Sequence, residues 1–379
     1  MTNRWQKEYQ KLREFVARNQ RIEITKNAMT IPEDAKVEFW NIFNKTRMVF
    51  IEEGSPSLIN DAEILSQNYK KAVQEVKSLL GLDDISTTPG RHRFLNNPKD
   101  MSARLLFDPL LDLLKGKLDI NTFEEKQPGN LETFFREVYQ FGYSQWVLLS
   151  LVQLLEADEG LCVPSRHPSY KTVMRELRDN TQNIFPAEID TPRQEAEIPP
   201  LQRLIKIEFT SGGMSILTVP NFIIHSPKLN KYLSVRTEFN VAMSTAANTS
   251  VKREWYPIES VLPLDNDIIL IYVASEPEDI TLVADVKKIS RPDLILECRT
   301  QKDWYQMGGL KRERIYHNRL KPNLGTYIIS RESVPVQVYK ELETEQSSKG
   351  QGADIHILAV GFDQSKLEPI ISKLENKEN

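Results

Sequence analysis

Residues 281–299 read TLVADVKKISRPDLILECR, two short apolar runs that each carry an acid. A turn near Ser290 and Arg291 would fold them into a hairpin with Asp285 opposite Leu296 and Glu297 as its diagonal neighbour. Side chains two apart share a strand face, so Glu297 and Arg299 are expected to project the same way. Two carboxylates and one cation at one end of a sheet have a chemical use. A hard ion such as Mg²⁺ takes oxygen ligands and keeps several waters, leaving room for a phosphate oxygen. The ion stabilises developing charge and lowers the pKa of a bound water. A neighbouring cation steadies the charged phosphorus centre.

Those residues sit in an ordered series of elements. Ile268–Val273, Ile280–Val286 and Asp293–Arg299 read as strands, Asp303–Leu320 as a mostly polar helix, and Gly325–Ser330 and Ile355–Phe362 as buried strands. Leu204–Phe209 and Met214–Val219 flank a Ser211-Gly212-Gly213 turn signal, and Tyr232–Met243 is a further strand candidate. This order predicts a mixed sheet with a helix packed on it.

The first half reads helical instead. Trp5, Tyr9, Leu12 and Phe15 recur at helical spacing. Thr30 and Glu33 form a capping-box pattern, with Pro32 between them, ahead of Val37, Trp40, Phe43 and Val49. Asp61–Leu80 is amphipathic and stops at Gly81, and Met101–Leu118 is apolar with a kink expected at Pro109. Leu131–Ala157 is the longest apolar helix, with Phe134, Phe135, Tyr139, Phe141, Tyr143 and Trp146 expected in a core rather than on a base-stacking surface. A short helical piece is expected at Tyr170–Arg178, and prolines punctuate the segment that follows. The fold class expected is therefore α+β overall: a helical domain over residues 1–160, a linker region over 161–200, and an α/β mixed-sheet domain over 201–379.

Composition narrows the class further. The chain has 379 residues, 40% hydrophobic and 27% charged, enough for a sizeable core. A net charge of −4 argues against a uniformly basic coat but leaves room for a local basic groove. Cys162 and Cys298, far apart, make neither a zinc cluster nor a disulfide framework. The first ten residues lack an apolar signal region and no run suffices for a bilayer span, so a cytoplasmic, non-membrane protein is expected. The five histidines form no metal-binding spacing, Arg91-His92-Arg93 reads as an exposed loop, and Gly308-Gly309 reads as a helix start rather than a phosphate loop.

The strings around Asp285 and around Glu297-Cys298-Arg299-Thr300 resemble the second and third core strands of PD-(D/E)xK nucleases, across roughly residues 268–330. In that superfamily an Asp on one strand precedes a Glu-x-Lys on the next, and a helix and another strand follow. The resemblance implies a restriction-endonuclease-like domain and a Mg²⁺- or Mn²⁺-dependent endonuclease acting on nucleic acid, DNA before RNA, in defence or restriction. It implies metal ligation by Asp285, Glu297 and the carbonyl of Cys298. Arg299 stands at the lysine position; it keeps the charge but cannot transfer a proton at ordinary pH, so Lys287 or Lys302 are candidates to assist. A second register uses Asp267 as the first acid and Asp285-Val286-Lys287 as the second motif. Gln301 and Tyr305 are four apart, as in the Gln-x-x-x-Tyr element of RecB-like nucleases. Gln301, Lys302, Lys311, Arg312 and Arg314 would then meet backbone phosphates. Cutting both strands would suit a homodimer or a larger complex. The alternatives are a fold retained for DNA binding or complex assembly without turnover, and a helical scaffold joined to an unrelated α/β domain.

Overall fold

The computed structural model describes residues 3–82, 84–86, 89–162, 204–206, 222–236, 268–276, 292–306, 308–348 and 354–376. The expected linker beyond Cys162, the Tyr170–Arg178 helix, and the strands at Met214–Val219 and Ile280–Val286 lie outside these residues. The protein is α+β, with helices first and a seven-stranded mixed sheet after them. Its contacts divide it into two compact units, Met1–Lys71 with Thr88–Gly142, and Ala72–Thr87 with Tyr143–Asn379. Among the described residues no helix is long and apolar enough to cross a membrane.

The first unit holds α1 (Arg4–Arg18), α2 (Glu33–Gly54), most of α3 (Pro56–Leu80), α4 (Pro89–Asn96), α5 (Pro98–Leu105), α6 (Phe107–Leu114) and the first part of α7 (Ile120–Leu154). Helical spacing buries Trp5, Tyr9 and Leu12 on α1. Glu53 closes the start of that helix, its carboxylate oxygens accepting the Arg4 N–H at 2.9 Å and the Trp5 N–H at 2.8 Å. A carboxylate there satisfies two orphan donors and complements the helix dipole. Trp5 packs edge-on against Phe50 at 5.2 Å and beside Phe123 at 5.4 Å.

Three local expectations change here. Thr30 is held in the short ladder of β1 (Glu23–Ile24) and β2 (Met29–Thr30), opposite Glu23, so Pro32 rather than Thr30 caps α2, and Val37 is exposed. The Met101–Leu118 stretch is two helices broken at Leu106, with Pro109 in the first turn of α6, where its missing N–H is not needed. Arg91, His92 and Arg93 lie on α4 rather than in a loop, with the Arg91 guanidinium 4.1 Å from the Phe141 ring centroid.

The second unit carries the sheet. Its strands are β4 (Glu159–Cys162), β6 (Phe222–Ser226), β7 (Lys231–Arg236), β8 (Ile268–Ala274), β9 (Leu294–Arg299), β10 (Gly325–Ser330) and β11 (Ile355–Ala359), in spatial order β11-β10-β9-β8-β7-β6-β4. From β4 to β9 every neighbour is antiparallel; β9, β10 and β11 run parallel. The two parallel crossovers are α8 (Gly309–Leu320) and α9 (Val336–Ser348), and α10 (Glu368–Glu375) follows β11. Nearly continuous apolar runs suit strands covered on both faces, and every residue of β9 and β10 is buried. Ile328, Ile355 and Ile357 pack with Trp304 and with Val338 and Leu342 of α9. A separate parallel pair joins β3 (Asp84–Ser86) to β5 (Leu204–Lys206), the strand expected to turn back through Gly212-Gly213.

The expected hairpin is corrected. Opposite Leu296 stands Ile269, not Asp285, and Leu294–Glu297 is paired on one side by β8 and on the other by β10. Both edges of that strand are taken over Leu294–Glu297, and the 280–286 segment lies outside the described residues. Asp293 secures the arrangement: its Oδ2 accepts the Val273 N–H at 2.7 Å, and its Oδ1 accepts from Asn323 Nδ2 at 3.0 Å.

Candidate functional site

Glu297 and Arg299 do share a face of β9, and the Arg299 guanidinium is ion-paired with Glu297 Oε1. The same nitrogen donates to Glu313 Oε1 at 2.7 Å. Glu313 comes from α8, where Gly309, Glu313 and Tyr316, at i, i+4 and i+7, are buried. Helix and strand thus bring two acids to one cation. Both glutamates are 0% exposed and Arg299 is 7% exposed. Arg312 Nη2 lies 3.9 Å from Glu297 Oε1, too far for a hydrogen bond.

A buried carboxylate needs donors or a cation, because charge loses its hydration inside a protein. Among the described residues, Oε2 of Glu297 and Oε2 of Glu313 accept no hydrogen bond. Such orphaned hard oxygens fit a divalent cation in kind. Glu297, with the Cys298 carbonyl beside it in the chain, would hold it, and Glu313 is the second carboxylate within reach. No group of three or more His, Cys, Asp and Glu able to hold a metal occurs among the described residues. Asp267, Asp285 and Lys287 lie outside them. Asp267 is the residue before Ile268, which pairs with Glu297.

Cys298 is a buried cysteine outside any disulfide, and parity sets its side chain on the face opposite Glu297. Gln301 and Lys302 are exposed in the turn after β9. The expected helix from Asp303 begins only at Gly309, since Asp303 has φ +59° and the capping Gly308 φ +80°, both left-handed. Gln301 and Tyr305 therefore do not form a helical pair, and Gly308-Gly309 is a helix start as expected. Lys311 is exposed; Arg312 and Arg314 are half-buried. Of the aromatic series on α7, Phe135, Tyr139, Phe141, Tyr143 and Trp146 are buried, and Phe134 is half-buried beside Phe94.

Glu313 is the site residue that the sequence reading missed. Its signal was a lone acid on the apolar stripe of an otherwise basic helix, GLKRERIYHNRL. No family model, curated protein or solved structure matches the chain.

Proposed function

We propose that the sheet-bearing part of this chain is a metal-dependent nuclease core that hydrolyses nucleic-acid phosphodiesters, those of DNA first. The observation that carries the reading is Glu297, a carboxylate fully withdrawn from solvent on a central strand, with Arg299 on one oxygen and no described donor on the other. The order of elements supports it: an antiparallel strand pair, then α8, then the parallel β10. Mg²⁺ or Mn²⁺, when bound, would polarise the phosphate and acidify a water. Glu297 and the Cys298 carbonyl would hold the ion, and Asp267 or Asp285 would supply a further acid. Arg299 would neutralise charge at the phosphorus without taking a proton. Lys311, with Gln301, Lys302, Arg312 and Arg314, would meet the phosphate backbone. The setting proposed is defence or restriction, and cutting of both strands would call for a homodimer or larger complex.

A specific observation favours a second reading. Arg299 sits on the carboxylate that would hold the metal, as in a fold kept for DNA binding or assembly without turnover. The test is cleavage of single- and double-stranded DNA with Mg²⁺ or Mn²⁺, by wild type and by Glu297→Ala, Asp267→Ala and Asp285→Ala, with gel-shift binding in parallel. Metal-dependent cutting lost in Glu297→Ala is expected, and the two aspartate variants then identify the partner acid. Binding without cutting by the wild type would favour the second reading.

A further inference from the structure

Glu297 and Glu313 compete for one guanidinium. Arg299 Nη2 serves both Oε1 atoms, and the two fully buried acids carry one more charge than it can match. Their alternatives differ. Glu297 has Arg312 at 3.9 Å as a second cation. Among the described residues, Arg299 is the only ion-pair partner of Glu313. A cation arriving at Glu297 can therefore release Arg299 from it, whereas Glu313 stripped of Arg299 would be a buried, unmatched charge. The guanidinium presents five donors in a fork, enough to stay on Glu313 while leaving Glu297.

We infer that Glu313 is the positioning residue of this site: it retains the Arg299 guanidinium when a divalent cation engages Glu297, and so sets the affinity of Glu297 for that cation. The inference rests on the metal-dependent reading above. It makes Arg299 and the metal alternative partners of one carboxylate, with Glu313 deciding how readily they exchange.

The test is Mn²⁺ binding to the full chain, followed by the paramagnetic resonance signal of free Mn²⁺ and independent of any cleavage. Glu313→Gln removes one of the two acids that share Arg299 and should weaken binding about 10–100-fold, the range found when a partner behind a metal ligand is removed. Arg299→Gln should tighten it. In the Arg299→Gln background, adding Glu313→Gln should change affinity by less than about twofold, since Glu313 would have nothing left to hold. Glu313→Asp, which keeps the charge on a shorter arm, should fall between wild type and Glu313→Gln and covers the chance that the amide variant misfolds. Equal weakening by Glu313→Gln in both backgrounds would make Glu313 a ligand itself and overturn the inference; so would an unchanged affinity in the wild-type background. Failure to cut DNA with this order of affinities intact would remove the nuclease reading alone. A Glu297→Gln chain that binds Mn²⁺ as well as wild type would remove the metal site and the inference with it.

Discussion

Two charge clusters sit on strands of one sheet that flank β10, and their carboxylates are provided for differently. At the start of β11, Asp354 takes Lys373 Nζ at 2.8 Å on Oδ2 and His356 on Oδ1, while its backbone carbonyl accepts the Thr326 N–H at 2.7 Å. The side chains of Asp354, His356 and Lys373 are 38–43% exposed. Toward the end of β9, Glu297 and Glu313 are wholly buried, share Arg299, and each keep an oxygen without a described donor. The first cluster is a stitch between β11 and α10, matched and in contact with water. The second holds charge where charge is costly and, among the described residues, leaves an oxygen of each acid without a hydrogen-bond donor. Incomplete matching in a buried site is what separates a place suited to a ligand from one suited only to stability.

The comparison can be broken most severely at Arg299. Arg299→Ala strands two buried carboxylates and should cost about 3–5 kcal/mol, read from denaturant unfolding. A loss below about 1 kcal/mol would mean the pair behaves like a surface bridge. Next is the helix that presents Glu313. A Cβ on Gly309 would lie 2.7 Å from the Trp304 carbonyl oxygen and from its ring. Gly309→Ala should therefore cost about 1–3 kcal/mol. Lys373→Ala, at the half-exposed stitch, should cost only about 0–1 kcal/mol in the same assay.

The smallest effect is on pH dependence. Burial lowers the His317 pKa against a weaker opposing pull from Asp354, while the ring accepts or donates at Thr326 Oγ1, 2.9 Å away. The unfolded chain then binds this proton first, so stability present above about pH 6.5 is lost as pH falls toward the folded value. Burial raises the Asp354 pKa, but Lys373 and His356 outweigh it and hold the carboxyl low. Its contribution persists above the ordinary carboxylate range and is lost only below it. Melting temperature against pH should show two acid losses; His317→Asn should remove the upper one, and Lys373→Ala should diminish the lower.

Periodicity carried much of the fold. It found the buried face of α1, the end of α3 at Gly81, the aromatic core of α7, and strands β8 to β11, because helical and strand periods leave distinct apolar patterns. Pairing was not readable. Leu294–Glu297 was assigned to its nearest sequence neighbour, yet its partners are β8, some twenty residues before it, and β10, beyond a helix. Apolar runs say that a strand is buried, not which strand lies beside it. Strand parity did recover the shared face of Glu297 and Arg299, since it is local. Glu313 was missed because a glutamate among Lys311, Arg312 and Arg314 reads as a solvated face until the helix is set on the sheet.

The central claim is that Glu297 anchors metal-dependent hydrolysis, and its most direct test is single-turnover cleavage of DNA in Mn²⁺ by wild type, Glu297→Gln and Arg299→Lys. The account predicts loss of cutting in Glu297→Gln and faster cutting in Arg299→Lys, where a smaller cation able to pass a proton replaces the guanidinium. Glu297→Gln cutting at the wild-type rate would contradict it.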